Sequence, residues 1–146
     1  MLPVFAGLLM GNALVGVAQA QDAGGCPQLP AGTTLVWEHK ATGDSDFCRA
    51  IREDGSEAFG LYISPKASFQ PKRGDRAEAG LIDGREMHWY RGELATKPDM
   101  EVRETLIQLD DGRVAHIWLQ ANPADLPALI GQAQSMRMPN TRLSSK

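Results

Sequence analysis

The sequence predicts an α+β domain: a mostly antiparallel meander sheet of six to seven strands with one C-terminal amphipathic helix packed on one face. Three observations carry that expectation. The dipeptide Asp-Gly occurs at 54–55, 83–84 and 111–112, each time between two strand-like runs. A further strand-like run, Thr33 to Lys40, precedes them. Near the C-terminus the apolar period changes, with Leu126, Leu129, Ile130, Ala133 and Met136 at helical spacing.

Asp and Gly tolerate the positive φ angles of a type I′ turn, whose twist matches an antiparallel pair. Two-residue loops at the three corners fix a register. Around Asp54-Gly55, Ala50 faces Phe59, Cys48 faces Leu61 and Asp46 faces Ile63, giving a core face, with Phe47, Arg49 and Tyr62 opposite. Arg52 and Glu57 pair near that turn. Around Asp83-Gly84, Ala79 faces His88, Glu78 faces Trp89 and Ala77 faces Tyr90. Around Asp111-Gly112, Leu109 faces Val114, Ile107 faces His116, Leu106 faces Ile117 and Thr105 faces Trp118. The first strand joins this series through Gly43-Asp44.

Asp125 is the expected helix N-cap, with Asn122 the alternative, and Pro127 falls in the first turn, where its missing N–H costs nothing. Pro139 is the expected stop. A longer connection, Ser64 to Arg76, contains two prolines and one aromatic, Phe69, near Lys66, Lys72 and Arg73. Long loops in compact domains are uncommon unless they bind something or are disordered, so the segment reads either as a contact loop or as a solvated connector with Phe69 tucked back onto the sheet.

Residues 1–20 read as a cleavable secretory signal: Leu2 to Val17 is mostly apolar, no side chain in the segment is charged, and Ala18-Gln19-Ala20 offers small residues at the cut. No Lys or Arg precedes the apolar core, which is unusual for a leader. Residues 21–32 read as an N-terminal segment tied by a disulfide, 33–139 as the domain, and 140–146 as a frayed tail. Two cysteines, Cys26 and Cys48, most simply form one bridge in an oxidising compartment. Lipidation at Cys26 is the competing use, disfavoured by Ala23-Gly24-Gly25 before it. Eighteen acidic and fifteen basic residues are well mixed, which argues against nucleic acid and anionic membranes as partners. The expected location is periplasmic or secreted, with no membrane span after cleavage.

No motif commits the chain to a chemistry. His39, His88 and His116 each stand within two residues of a tryptophan, but their spacing does not force convergence on a metal. Asp44-Ser45-Asp46 lacks the Gly and Glu of a calcium loop. No Gly-x-Ser-x-Gly appears. No catalytic residue, metal or cofactor is therefore expected. Alternation puts His88 with Tyr90, and His116 with Trp118, on single strand faces; if these coincide they form an aromatic patch, with Tyr62 possible beside them.

The expected function is that of an exported, non-enzymatic binding module of the cell envelope. Its candidate contact residues are Lys66, Phe69, Lys72 and Arg73 in the loop and His88, Tyr90, His116 and Trp118 on the strands. Its partner would be another envelope or secreted protein, or a small ligand. A narrower alternative is a periplasmic inhibitor or immunity-type protein acting on a cell-wall-directed enzyme through an exposed Phe69. A small hydrolase is the other alternative, and a discriminator for it is whether His88 and His116 approach each other and a carboxylate in a cleft.

Overall fold

The computed structural model describes residues 24–93 and 97–139. The expected leader and the 140–146 tail lie outside them. Seven strands, β1 (Val36–Thr42), β2 (Ser45–Ile51), β3 (Glu57–Ser64), β4 (Arg76–Ile82), β5 (Arg85–Gly92), β6 (Glu101–Gln108) and β7 (Val114–Ala121), precede one helix, α1 (Leu126–Gln134). The strands form one antiparallel sheet in the spatial order β1-β2-β3-β7-β6-β5-β4. The expected α+β meander is what forms. Every neighbouring pair is consecutive in sequence except β3 and β7, where two local meanders are joined.

The Asp-Gly corners differ from one another. Only the second has both residues at positive φ, Asp83 at 50° and Gly84 at 79°, as a type I′ turn requires. At the other two only Gly55 and Gly112 are left-handed, at 88° and 90°. There the bonds Arg52 N to Ser56 O (2.8 Å) and Leu109 N to Arg113 O (2.8 Å) close three-residue loops, each ending in a glycine. The reason is local. Asp54 and Asp111 each accept an amide N–H two residues on, from Ser56 (2.9 Å) and Arg113 (3.0 Å), which holds them in ordinary turn conformations. Asp83 instead spends its carboxylate on the amide of Met138, 3.1 Å away.

This corrects parts of the expected register. Beyond Asp111 the pairing moves by one residue, so Leu106 faces His116, Ile107 faces Ala115, Thr105 faces Ile117 and Glu104 faces Trp118. Beyond Asp54 an irregularity at Ala50/Ile51 absorbs the extra residue, and Ala50–Phe59, Cys48–Leu61 and Asp46–Ile63 pair as expected. Arg52 does not meet the Glu57 carboxylate; its guanidinium donates to the Glu57 carbonyl and to Ser56 Oγ. In β4 Ala79 faces His88 as expected, but an irregularity places Arg76, not Ala77, opposite Tyr90. The first strand starts later than Thr33 and runs on to Thr42.

One sheet face is the core. Phe59, Leu61 and Ile63 of β3, Ile117 and Leu119 of β7 and Trp89 of β5 pack with Leu126, Leu129, Ile130 and Ala133 of α1. The indole N–H of Trp89 donates to Gln134 Oε1 at 2.8 Å, and Gly80 leaves room for that glutamine over β4. Asp125 makes no side-chain cap; Asn122 accepts the Asp125 amide at 3.0 Å and fixes the entry to α1. The helix ends at Gln134, before Pro139, because the chain turns at Ser135 and pairs Arg137 with Gln28. Met136 stays buried after the helix has ended.

Cys26 and Cys48 form the disulfide, with their Cα atoms 5.9 Å apart. It ties the N-terminal segment to β2, and Pro27 O accepts the indole N–H of Trp37 at 2.7 Å. The bond occupies the sulfur that lipidation would need. Among the described residues no helix is long and apolar enough to cross a membrane.

Candidate functional site

The sheet face opposite α1 carries a continuous run of rings. Alternation projects Phe47 of β2, Tyr62 of β3, His116 and Trp118 of β7 and Tyr90 of β5 to this side, and the register sets Phe47 beside Tyr62 and Tyr62 beside His116. Phe47 lies 5.7 Å from Trp118 and 6.5 Å from Tyr62, and Trp118 lies 5.3 Å from His116, centroid to centroid.

The connection from β3 to β4 must travel from the middle of the sheet to its far edge, and it crosses this face. Ser64 Oγ donates to Lys66 O at 2.6 Å at the exit from β3, and a 3-10 turn at Arg73–Asp75 leads into β4. Between them Phe69 lies flat on the imidazole of His116, with centroids 4.9 Å apart and planes 8° apart, and sits 6.2 Å from Tyr90. Ser68 Oγ lies 3.2 Å from His116 Nδ1. The loop and the strand patch, expected as separate surfaces, are thus one assembly. Phe69 is half-buried and turned toward the sheet rather than projecting outward.

Charged groups order the rings. Glu104 of β6 reaches His116 Nε2 at 2.9 Å. Glu57 accepts the Trp118 indole N–H at 3.1 Å through one oxygen and pairs with Arg49 Nε at 2.7 Å through the other, while Arg49 also reaches Glu38. The Glu57 carboxylate, and then Glu38, raise the affinity of Arg49 for its proton. Gly60 lies beneath Trp118: a Cβ there would come within 2.6 Å of the indole Cζ2, so only glycine lets the ring rest on β3.

A cleft of about 740 Å³ opens between the loop and this floor. Phe69, Gln70, Lys72 and Asp75 form the loop side, Trp118, Glu104 and Val102 the floor, and Arg49 and Glu57 the far wall. The volume is in the range of small-ligand sites, and the walls combine a few polar groups with aromatic surface. No family model matches the sequence, and no curated protein or solved structure matches it. The site rests on its own geometry.

Of the expected residues, Phe69, Tyr90, His116 and Trp118 come together, and Lys72 joins them at the cleft wall. Lys66 and Arg73 are exposed elsewhere on the loop. His88 shares the open face, but no bond or ring contact joins it to His116 among the described residues. His39 is on the opposite face and bonds Asp46 at 2.7 Å. No group of three or more metal-binding side chains exists among the described residues. Sequence reasoning missed Glu104, Glu57 and Ser68. Glu104 was within reach: the correct register sets it directly opposite Trp118.

Proposed function

We propose that the protein is an exported binding module that holds a small ligand in the cleft between the 64–76 loop and the open sheet face. One observation carries the reading. Phe69 stacks on His116 and so builds the loop and the aromatic strands into a single walled site. Rigid rings with polar tips bind at low entropic cost, and Trp118 and Phe69 offer such surfaces beside Lys72, Gln70 and Glu57. The inward position of Phe69 favours a ligand entering this protein over a loop inserted into a partner enzyme. The apolar leader and the disulfide support export, to the periplasm or beyond the cell.

The test is titration of 15N-labelled protein with soluble envelope fragments: muropeptides, oligosaccharides and short peptides. At least one class shifts the Trp118 indole N–H and the Phe69 and Gln70 amides, and leaves the buried Trp37 and Trp89 indoles in place. If none moves the Trp118 signal, the cleft is not a binding site.

A further inference from the structure

Ser68, His116 and Glu104 form a hydrogen-bonded chain at the edge of the cleft. Glu104 Oε1 lies 2.9 Å from Nε2 of the ring, and Ser68 Oγ lies 3.2 Å from Nδ1. A carboxylate only accepts, so in the neutral ring the proton sits on Nε2 and points at Glu104. That leaves the lone pair of Nδ1 facing the Ser68 hydroxyl, which donates to it. A nucleophile, a base and a group that fixes the tautomer of the base are therefore in contact in the order acyl transfer needs. Ser68 is exposed, whereas the His116 and Glu104 side chains are 16% and 24% exposed. The Phe69 ring covers one face of the imidazole and leaves it little freedom to rotate.

From this geometry we propose that Ser68 is an activated nucleophile that cleaves short-chain carboxylic esters of polar alcohols. The proposal goes beyond binding, and it takes from that reading only the cleft, where the alcohol portion would sit beside Phe69 and Lys72. The mixed polar and aromatic walls fit a short acyl group on a polar carrier better than a long hydrocarbon chain. In the first step Ser68 Oγ bonds to the ester carbonyl carbon, its proton passes to His116 Nδ1, and the carbonyl oxygen takes the electron pair. Collapse breaks the bond to the alcohol, which leaves with the proton from Nδ1. Water then attacks the acyl-serine and gives a proton to Nδ1; release of the carboxylic acid returns that proton to Ser68. Glu104 acts as a positioning residue by holding the tautomer.

The experiment uses a biotinylated fluorophosphonate with mass-spectrometric mapping, together with hydrolysis of p-nitrophenyl acetate. Label is expected on Ser68, and S68A abolishes both label and turnover while keeping the thermal midpoint. E104Q keeps the fold but can donate to Nε2, which favours the wrong tautomer; it slows labelling about a hundredfold. Label on other serines only, or turnover unchanged in S68A, overturns the proposal. A Trp118 indole that still shifts with envelope fragments in such a case leaves a binding cleft in which Ser68 merely tethers the loop.

Discussion

Trp118 rests on the bare backbone of Gly60, and the hydrogen bond from its indole to Glu57, 3.1 Å long, sets its direction along the sheet. A methyl group at position 60 cannot coexist with that ring position. G60A is therefore expected to lift Trp118 off β3, to cost about 1–3 kcal/mol from overpacking, and to change the cleft floor. Chemical denaturation measures the loss, and the Trp118 indole resonance reports the displacement. An unchanged resonance would refute the close approach.

Phe69 holds the 64–76 connection down. F69A removes its stacking on His116 and its contact with Tyr90, and is expected to cost about 1–2 kcal/mol. Amide exchange in residues 65–72 should then rise well above that of β3 and β4. If exchange and stability both match the wild type, Phe69 is not the anchor.

Asp83 does work that the other two turn aspartates do not. It occupies a left-handed conformation, at φ 50°, and accepts the amide of Met138 behind α1. D83A is expected to cost about 1–2 kcal/mol, from the backbone preference and the lost acceptor. D54A should lose less, because it touches only its own turn. Equal losses would contradict the distinction drawn between the turns.

Arg103 is buried on the core side of the sheet at 7% side-chain exposure, with its guanidinium paired to Glu78 at 2.8 Å and to Glu101 at 3.5 Å. The hydrogen bond from Arg103 holds the Glu78 carboxyl below its ordinary value of 4.5. The unfolded chain thus takes up this proton more readily than the folded one. The stabilisation is complete above pH 4.5 and is lost as the pH falls through the lower folded value. E78Q should therefore cost about 1 kcal/mol at pH 7, reduced because Glu78 is 40% exposed, and the gap to wild type should close in acid. Thermal midpoints measured from pH 7 to pH 2.5 check this; a gap that widens in acid would reverse the sign.

Much of the architecture was legible because Asp-Gly corners and strand alternation are local signals. The core side of β2 and β3 follows directly from them. What failed was the type of corner. Whether Asp54 and Asp111 cap their own turns depends on one side-chain hydrogen bond, and that bond changes the loop from two residues to three. At Asp111 the single residue moved Glu104 opposite Trp118 and so concealed the carboxylate of the site. The path of the 64–76 loop was hidden for another reason: the sequence does not say that β3 pairs with β7, and only that pairing sends the loop across the aromatic face. The early end of α1 likewise depends on the distant partner of Arg137.

The β3–β7 seam also divides the molecule kinetically. Each three- or four-strand half is built from contacts close in sequence, which form quickly, while Leu61 meets Ile117 only after a long intervening segment has been closed. If the halves order before they dock, each exposes one raw central strand until then. A chain cut short before Val114 would keep β3 permanently unpaired on that side, and such a fragment would pair with its own kind and aggregate.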